Sequence, residues 1–246
     1  MIQTAPVYWY DDIDSTSEEA KRRARRGETN SVWIAARQQN AGKGRLGRSW
    51  VSPVGNLFCT ALFPEPDGVT MAARIPFAAA LAVRDTCEAV TPDLGSLLKW
   101  PNDVRVRGQK ISGILTETGD TNGVVWVALG IGINLQHTPE NVDQAATSLV
   151  AEGAPQALTP ELLLDQLRLS LNDRLEQTRQ DFSGLLDDWL KVAEGRGEIV
   201  QAGPVKNRIE GVFDGLAEDG GLILRLPDGT QRIIRAGDVD LVKRVS

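Results

Sequence analysis

Residues Gln38–Trp50 read QQNAGKGRLGRSW, and within them Gly42-Lys43-Gly44-Arg45-Leu46-Gly47 matches the pattern GxGxxG. In a dinucleotide-binding fold that pattern opens a helix at once and is followed by an acidic residue about 20 positions on. Here Arg48-Ser49-Trp50-Val51-Ser52-Pro53 leads instead into Leu57–Phe63 (LFCTALF), an apolar run of strand length closed by Pro64 and Pro66. Upstream, Val32–Ala36 also reads as a strand. The loop therefore joins two strands, which excludes a Rossmann unit. The VAIK, HRD and DFG motifs of protein kinases are missing, as is GxxxxGK followed by Ser or Thr. What remains is a loop whose glycines let backbone N–H groups approach a ligand, interleaved with Lys43, Arg45 and Arg48. No carboxylate occurs between Glu28 and Glu65. Taken alone, a flexible basic surface loop explains the stretch equally well.

Outward from the loop, the pattern alternates between helix and strand. Ser15-Thr16-Ser17-Glu18 fits a capping box, with Ser15 as N-cap, and predicts a helix to Arg26 that stops at Gly27. Its basic run Lys21–Arg26 suits the C-terminal end of the helix dipole, and a nucleic-acid footprint is the alternative. Met71–Val90 has helical spacing. Leu97–Trp100 begins a strand that Pro101-Asn102-Asp103 interrupts with turn chemistry. Val104–Arg107, Lys110–Thr116 and Gly123–Asn134 read as strands joined by short turns. From Pro160 to about Glu194 the pattern predicts two helices broken near Phe182-Ser183-Gly184.

After Gly195-Arg196-Gly197 come short strands at 198–200, 210–213, 222–226 and 231–234, separated by Gly220-Gly221 and Asp228-Gly229. That spacing predicts a small β-barrel. The expected organisation is an α+β domain over 1–195 with a β appendage over 196–246.

Composition narrows the function classes. The chain has 246 residues with 27 Lys+Arg against 33 Asp+Glu, a formal charge of −6, one His and two Cys. The acidic excess sits in 140–195, so net charge carries no argument about nucleic acid. Cys59 and Cys87 make neither a zinc cluster nor a disulfide scaffold, which points to a reducing cytoplasm. The N-terminus lacks a basic start followed by an apolar core, so no signal peptide is expected. The longest uncharged apolar stretch, Gly123–Leu135, is too short to span a bilayer.

QQNAGKGRLGRSW, together with STS at 15–17, KWPNDV at 99–104, GQKISGIL at 108–115 and GIGINL at 130–135, resembles the biotin–protein ligases. Order, spacing and identity of all five motifs fit, from about residue 12 to the end. The resemblance implies a central mixed sheet flanked by helices, like the class II aminoacyl-tRNA synthetases, with a small C-terminal barrel. It implies a cytoplasmic enzyme that makes biotinyl-5′-adenylate from biotin and ATP with Mg²⁺. Biotin then passes to one lysine of the biotin carboxyl carrier domain of acetyl-CoA carboxylase. The enzyme is expected as a monomer or homodimer. Some relatives carry an N-terminal DNA-binding domain; the segment ahead of Ser15 leaves no room for one, so no DNA partner is expected.

Carried over by motif, the resemblance places biotin against Ser15, Thr16, Ser17, Gln39, Lys43, Gly44, Arg45, Lys110 and Gly113. ATP would meet Lys43, Arg45, Arg48, Asn102, Lys110 and Asn134, with Lys110 and Arg45 catalytic. Asp103 would lie near the metal without being an assigned ligand, and Ala146-Thr147-Ser148-Leu149 would belong to a second closing loop. Lys43 stands where the family often has arginine, keeping the charge but losing the bidentate fork.

The chemistry gives these residue types a reason. A carboxylate attacking an α-phosphate brings two anions together, a repulsion of about 4 kcal/mol per charge pair at 4 Å and an effective dielectric near 20. Fixed cations offset it. The same residues have simpler readings: Ser15 as a helix cap, Asn102-Asp103 as a β-turn, Lys110 as a solvated strand-end lysine, Asn134 as a strand terminator, Trp33 and Trp100 as core. Glycine content and missing apolar anchors predict a loop that is mobile when empty and orders over the adenylate. The rivals are a lipoate ligase or octanoyl transferase, the latter needing a catalytic cysteine, and a non-catalytic biotin-binding module.

Overall fold

Burial and alternation place the strands. The computed structural model describes residues 2–28, 30–139, 144–204 and 206–242. In chain order its first half comprises β1 (Val7–Ile13), α1 (Thr16–Arg25), β2 (Val32–Gln39), β3 (Leu57–Pro64), α2 (Gly68–Ala72) and α3 (Ile75–Val90). Next come β4 (Leu97–Lys99), β5 (Asp103–Val106), β6 (Gln109–Thr121), β7 (Val124–Ile133), α4 (Pro160–Gln180) and α5 (Phe182–Lys191). The C-terminal segment supplies β8 (Ile199–Gly203), β9 (Ile209–Leu216), β10 (Leu222–Arg225), β11 (Gln231–Ile234) and β12 (Asp238–Leu241).

β1–β7 form one seven-stranded sheet in the order β1-β2-β3-β7-β6-β5-β4. β1 runs parallel to β2, with α1 as the crossover that parallel strands require. Every other neighbouring pair is antiparallel, so the sheet is mixed as expected. β3 is buried along nearly its whole length, which is why its sequence reads as a continuous apolar run. α1 covers one face, packing Ala20 and Ala24 on Ile34, Leu62 and Ala128. α3, α4 and α5 cover the other, in a core that contains Trp33, Phe63, Leu129 and Trp189.

The same core continues into Val200, Phe213 and Leu224 of the second sheet. That sheet is five-stranded and antiparallel, in the order β11-β10-β9-β8-β12. It is fastened to the first by Trp100 Nε1, which donates to Gly220 O at 3.2 Å, and by a Lys99–Asp240 ion pair at 2.9 Å.

Several boundaries differ from the sequence reading. Met71–Val90 is two helices, because the chain turns at Ala73-Arg74 and Pro76 starts a new one. Ser15 is the N-cap of α1, yet the capping box does not form. Asp14 Oδ1 accepts the Ser15 N–H, Gln39 Oε1 accepts the Thr16 N–H, and Glu18 pairs with Lys21. The helical break falls at Asp181, whose carboxylate caps Gly184 N–H at 2.9 Å. β6 runs on to Thr121, and β12 went unread.

Candidate active site

On α1's face of the sheet, side chains give way to glycine beyond the helix N-terminus. Gly130 and Gly132 of β7 follow Ala128 on that face, and Gly113 of β6 sits opposite Gly132. A Cβ at Gly130 would come within 2.6 Å of Ser17 Oγ, and one at Gly132 within 2.5 Å of the Trp50 indole. Glycine in a strand interior marks a close approach, and here it makes the floor of a cavity. The cavity has about 390 Å³ of space, within the size range of small-molecule sites. Phe58 and Leu115 add apolar surface to its lining.

One end is polar and uncharged. Gln39 Oε1 accepts from Thr16 N–H at 2.8 Å, and Gln39 Nε2 donates to Ser52 Oγ at 2.9 Å. Thr60 Oγ1 donates to Thr16 Oγ1 at 2.9 Å, with Ser17 Oγ 3.4 Å from Thr60 Oγ1. Hydroxyls and an amide held this way offer donors and acceptors to a neutral polar head group.

The other end is cationic. Lys110 Nζ lies 2.6 Å from Asp103 Oδ1, an oxygen that nonetheless lacks an aligned hydrogen bond, so the contact is a charge pair rather than a directed bond. The same ammonium stands 5.3 Å from the Trp50 ring centroid, a cation–π distance. Arg45 donates from Nη1 to Asn102 Oδ1 at 2.9 Å, and Asn102 in turn donates to Ile114 O at 2.8 Å. Burial pushes the Arg45 guanidinium below its ordinary pKa, with Asp238 and Asp103 opposing that shift; guanidinium stays charged in proteins regardless. Arg48 lies beside Arg45 at the same end and reaches Asp238 at 3.3 Å.

The loop itself is a short antiparallel excursion. Lys43 bridges Ser49, Gly44 N–H donates to Arg48 O at 2.7 Å, and Trp50 N–H donates to Gly42 O at 2.9 Å. Leu46 and Gly47 turn its tip with φ of 55° and 76°. The expected lack of apolar anchors is corrected by the Trp50 indole, which packs on Gly113 and Gly132.

Among the described residues, three buried polar atoms on the lining find no partner: Trp50 Nε1, Asn134 Oδ1 and Gln144 Oε1. Buried polar groups are nearly always satisfied, so these three atoms are free to bond a ligand or water in the cavity. Asn134 Nδ2 is occupied, donating to Thr147 O at 2.9 Å, which ties the 145–147 segment to the end of β7. Cysteine offers no nucleophile. Cys59 and Cys87 are fully buried, and burial pushes the Cys59 thiol far up and that of Cys87 to about 12.

The model of the biotin/lipoate A/B protein ligase family matches residues 9–134, and that of the biotin protein ligase C-terminal domain matches 197–242. The chain belongs to the biotin/lipoate A/B protein ligase family. Within the family, it is 39% identical over 233 residues to the biotin–[acetyl-CoA-carboxylase] ligase of Paracoccus denitrificans, covering 92% of this chain and 96% of that one. The corresponding Mycobacterium tuberculosis ligase is 31% identical, covering 92% of this chain and 85% of its own. Among solved structures, the Aquifex aeolicus biotin protein ligase in complex with biotin and ATP superposes with a TM-score of 0.80. It is 27% identical and covers 97% of this chain and 99% of that one.

Of the residues expected to bind, this family member gathers Thr16, Ser17, Gln39, Lys43, Gly44, Arg45, Arg48, Asn102, Lys110, Gly113 and Asn134 around one cavity. Ser15 is buried behind the helix start and does not line it. Asp103 does not line it; its carboxylate lies against Lys110 and acts at longer range on Arg45. Of 146–149, Ala146 alone faces the cavity; Thr147 bonds Glu152 and Leu149 is core. Trp33 and Trp100 are buried core residues, as the simpler reading had it. Sequence reasoning missed Trp50, Phe58, Gly130, Gly132 and Gln144; the alternating glycines of GIGINL were the signal for two of them.

Proposed function

We propose that the protein condenses biotin with ATP and passes the activated biotin to a lysine of a biotin carboxyl carrier domain, in the cytoplasm. The observation that carries this reading is the polarity gradient of one cavity. It runs from neutral hydroxyl and amide groups past a glycine floor to Lys110, Arg45 and Arg48, with Lys43 a fourth cation on the lining. Biotin has the same order, with a ureido head, an apolar ring and chain, and a carboxylate.

In the first step a carboxylate oxygen attacks the α-phosphorus and pyrophosphate leaves. Lys110 and Arg45 sit where the two anions converge, and their attraction grows as charge shifts onto the departing phosphates. Mg²⁺ enters with ATP as part of the substrate, held chiefly by phosphate oxygens as this ion prefers. Among the described residues no cluster of three His, Cys, Asp or Glu forms a resident metal site, and Asp103 is already engaged by Lys110. In the second step the acceptor amine attacks the acyl carbon and AMP leaves. No enzyme nucleophile is required, in keeping with the two buried thiols; an octanoyl transferase would need one of them exposed and ionised. We assign the first step to residues 1–195 and treat 196–246 as an accessory unit.

The test is transfer of labelled biotin to a purified carrier domain with MgATP, with lipoate and octanoate in parallel. Biotin alone should be transferred. Preferential transfer of lipoate or octanoate would overturn the substrate assignment.

A further inference from the structure

The cationic end of the cavity is completed from the other sheet. Arg48 Nη2 lies 3.3 Å from Asp238 Oδ1, and Arg45 Nη1 lies 3.8 Å from the same oxygen. Arg45 Nη2 reaches Gly237 O at 3.5 Å. Asp238 begins β12, so a residue of the C-terminal sheet holds both arginines of the glycine loop. Its own position is fixed on three sides. Gly237 has φ +114° and would drive a Cβ to within 2.2 Å of the Gly203 backbone, so only glycine makes this turn. Val239 is buried, and Asp240 is clamped between Lys99 and Arg208. The loop is less secured, with Leu46 exposed at its tip and Arg48 reaching out to the carboxylate.

We propose that Asp238 is a positioning residue for the nucleotide. It sets the guanidinium groups of Arg48 and, at longer range, Arg45 at the cavity before substrate arrives, so the C-terminal sheet shapes the active site through charge. Without this carboxylate the loop has to order at the moment of binding, and nucleotide affinity falls by that cost. The pair is partly exposed, with side chains 42% and 21% accessible, so the effect is modest. About two- to fivefold is expected for a pair of this class.

Two measurements test it. In the substrate-free protein, Asp238→Asn should raise hydrogen exchange at the Gly44, Arg48 and Trp50 amides about two- to fivefold, and Asp238→Glu should restore much of the protection. In pyrophosphate exchange, Asp238→Asn should raise KM for ATP by a similar factor while kcat stays within about twofold. In an Arg48→Ala background the substitution should add little, because the pair is already broken. Unchanged loop exchange, or an equal effect of Asp238→Asn with and without Arg48, overturns the proposal. If Asp238→Asn fails to fold, Arg48→Ala alone must loosen the loop amides, and unchanged exchange in that variant also overturns it. Only the KM arm rests on the ligase reading. The exchange arm needs no substrate, so failure of one is distinguishable from failure of the other.

Discussion

Lys110→Ala should damage two properties that a second substitution can separate. The ammonium is the counter-charge of Asp103, whose side chain is only 10% exposed. Removing one member of a buried pair leaves an uncompensated charge and costs about 3–5 kcal/mol when burial is complete. Lys110 is 21% exposed, so we place the loss in folding stability at about 2–3 kcal/mol. Replacing the partner as well, as Lys110→Ala with Asp103→Asn, removes the stranded charge and should recover most of that stability. Catalysis should behave differently. Losing one fixed donor to charge developing in a transition state costs about 10²–10³ in rate, or about 2.7–4 kcal/mol. That loss should persist in the double variant, because the neutral amide introduced beside the alanine supplies no cation. The assays are denaturant midpoints and single-turnover adenylate formation at saturating biotin and MgATP. Recovery of adenylate formation in the double variant would refute a direct role for Lys110 and leave it a structural counter-ion.

Gly132→Ala should push the Trp50 indole, 2.5 Å from the new Cβ, off the cavity floor. Calorimetry should show biotin binding weakened about 5- to 150-fold, since overpacking costs about 1–3 kcal/mol, while the far-UV spectrum stays unchanged. Native Cys59 and Cys87 should resist alkylation at pH 8 because burial holds both thiols protonated, and both should react once the protein is unfolded. Asp14 and Asp188 are held near pKa 2, by a hydrogen bond from Arg22 and by hydrogen bonds from Lys191 and Gln177 respectively. A depressed carboxylate contributes stability above its unfolded pKa near 4 and loses it as pH falls toward 2. Melting of the Asp14→Asn, Asp188→Asn double variant should therefore come at a lower temperature than that of the parent at pH 6, with the gap narrowing below pH 4.

The sequence made local features legible and distant ones not. The strand that follows Gly42–Gly47 was enough to exclude a dinucleotide loop, and β3 identified itself by an unbroken apolar run. The N-cap position of Ser15 was readable, but its hydrogen bonding was not. Gln39, on a different strand, takes the Thr16 N–H, and no local pattern encodes that competition. β12 escaped because Asp238-Val239-Asp240-Leu241 puts two carboxylates in a strand. Those carboxylates are satisfied by Arg48, Lys99 and Arg208, of which Arg48 is 190 positions from Asp238. The glycine floor was hidden for a related reason. Gly130 and Gly132 read as part of a buried strand until Ser17 and Trp50 are seen standing over them.

Isotope exchange between pyrophosphate and ATP probes most directly whether this cavity joins a carboxylate to an α-phosphate. Labelled pyrophosphate should enter ATP only when biotin is present, and the rate should collapse in Lys110→Ala and in Arg45→Ala. Exchange that proceeds without biotin, or that survives both substitutions, would contradict the account.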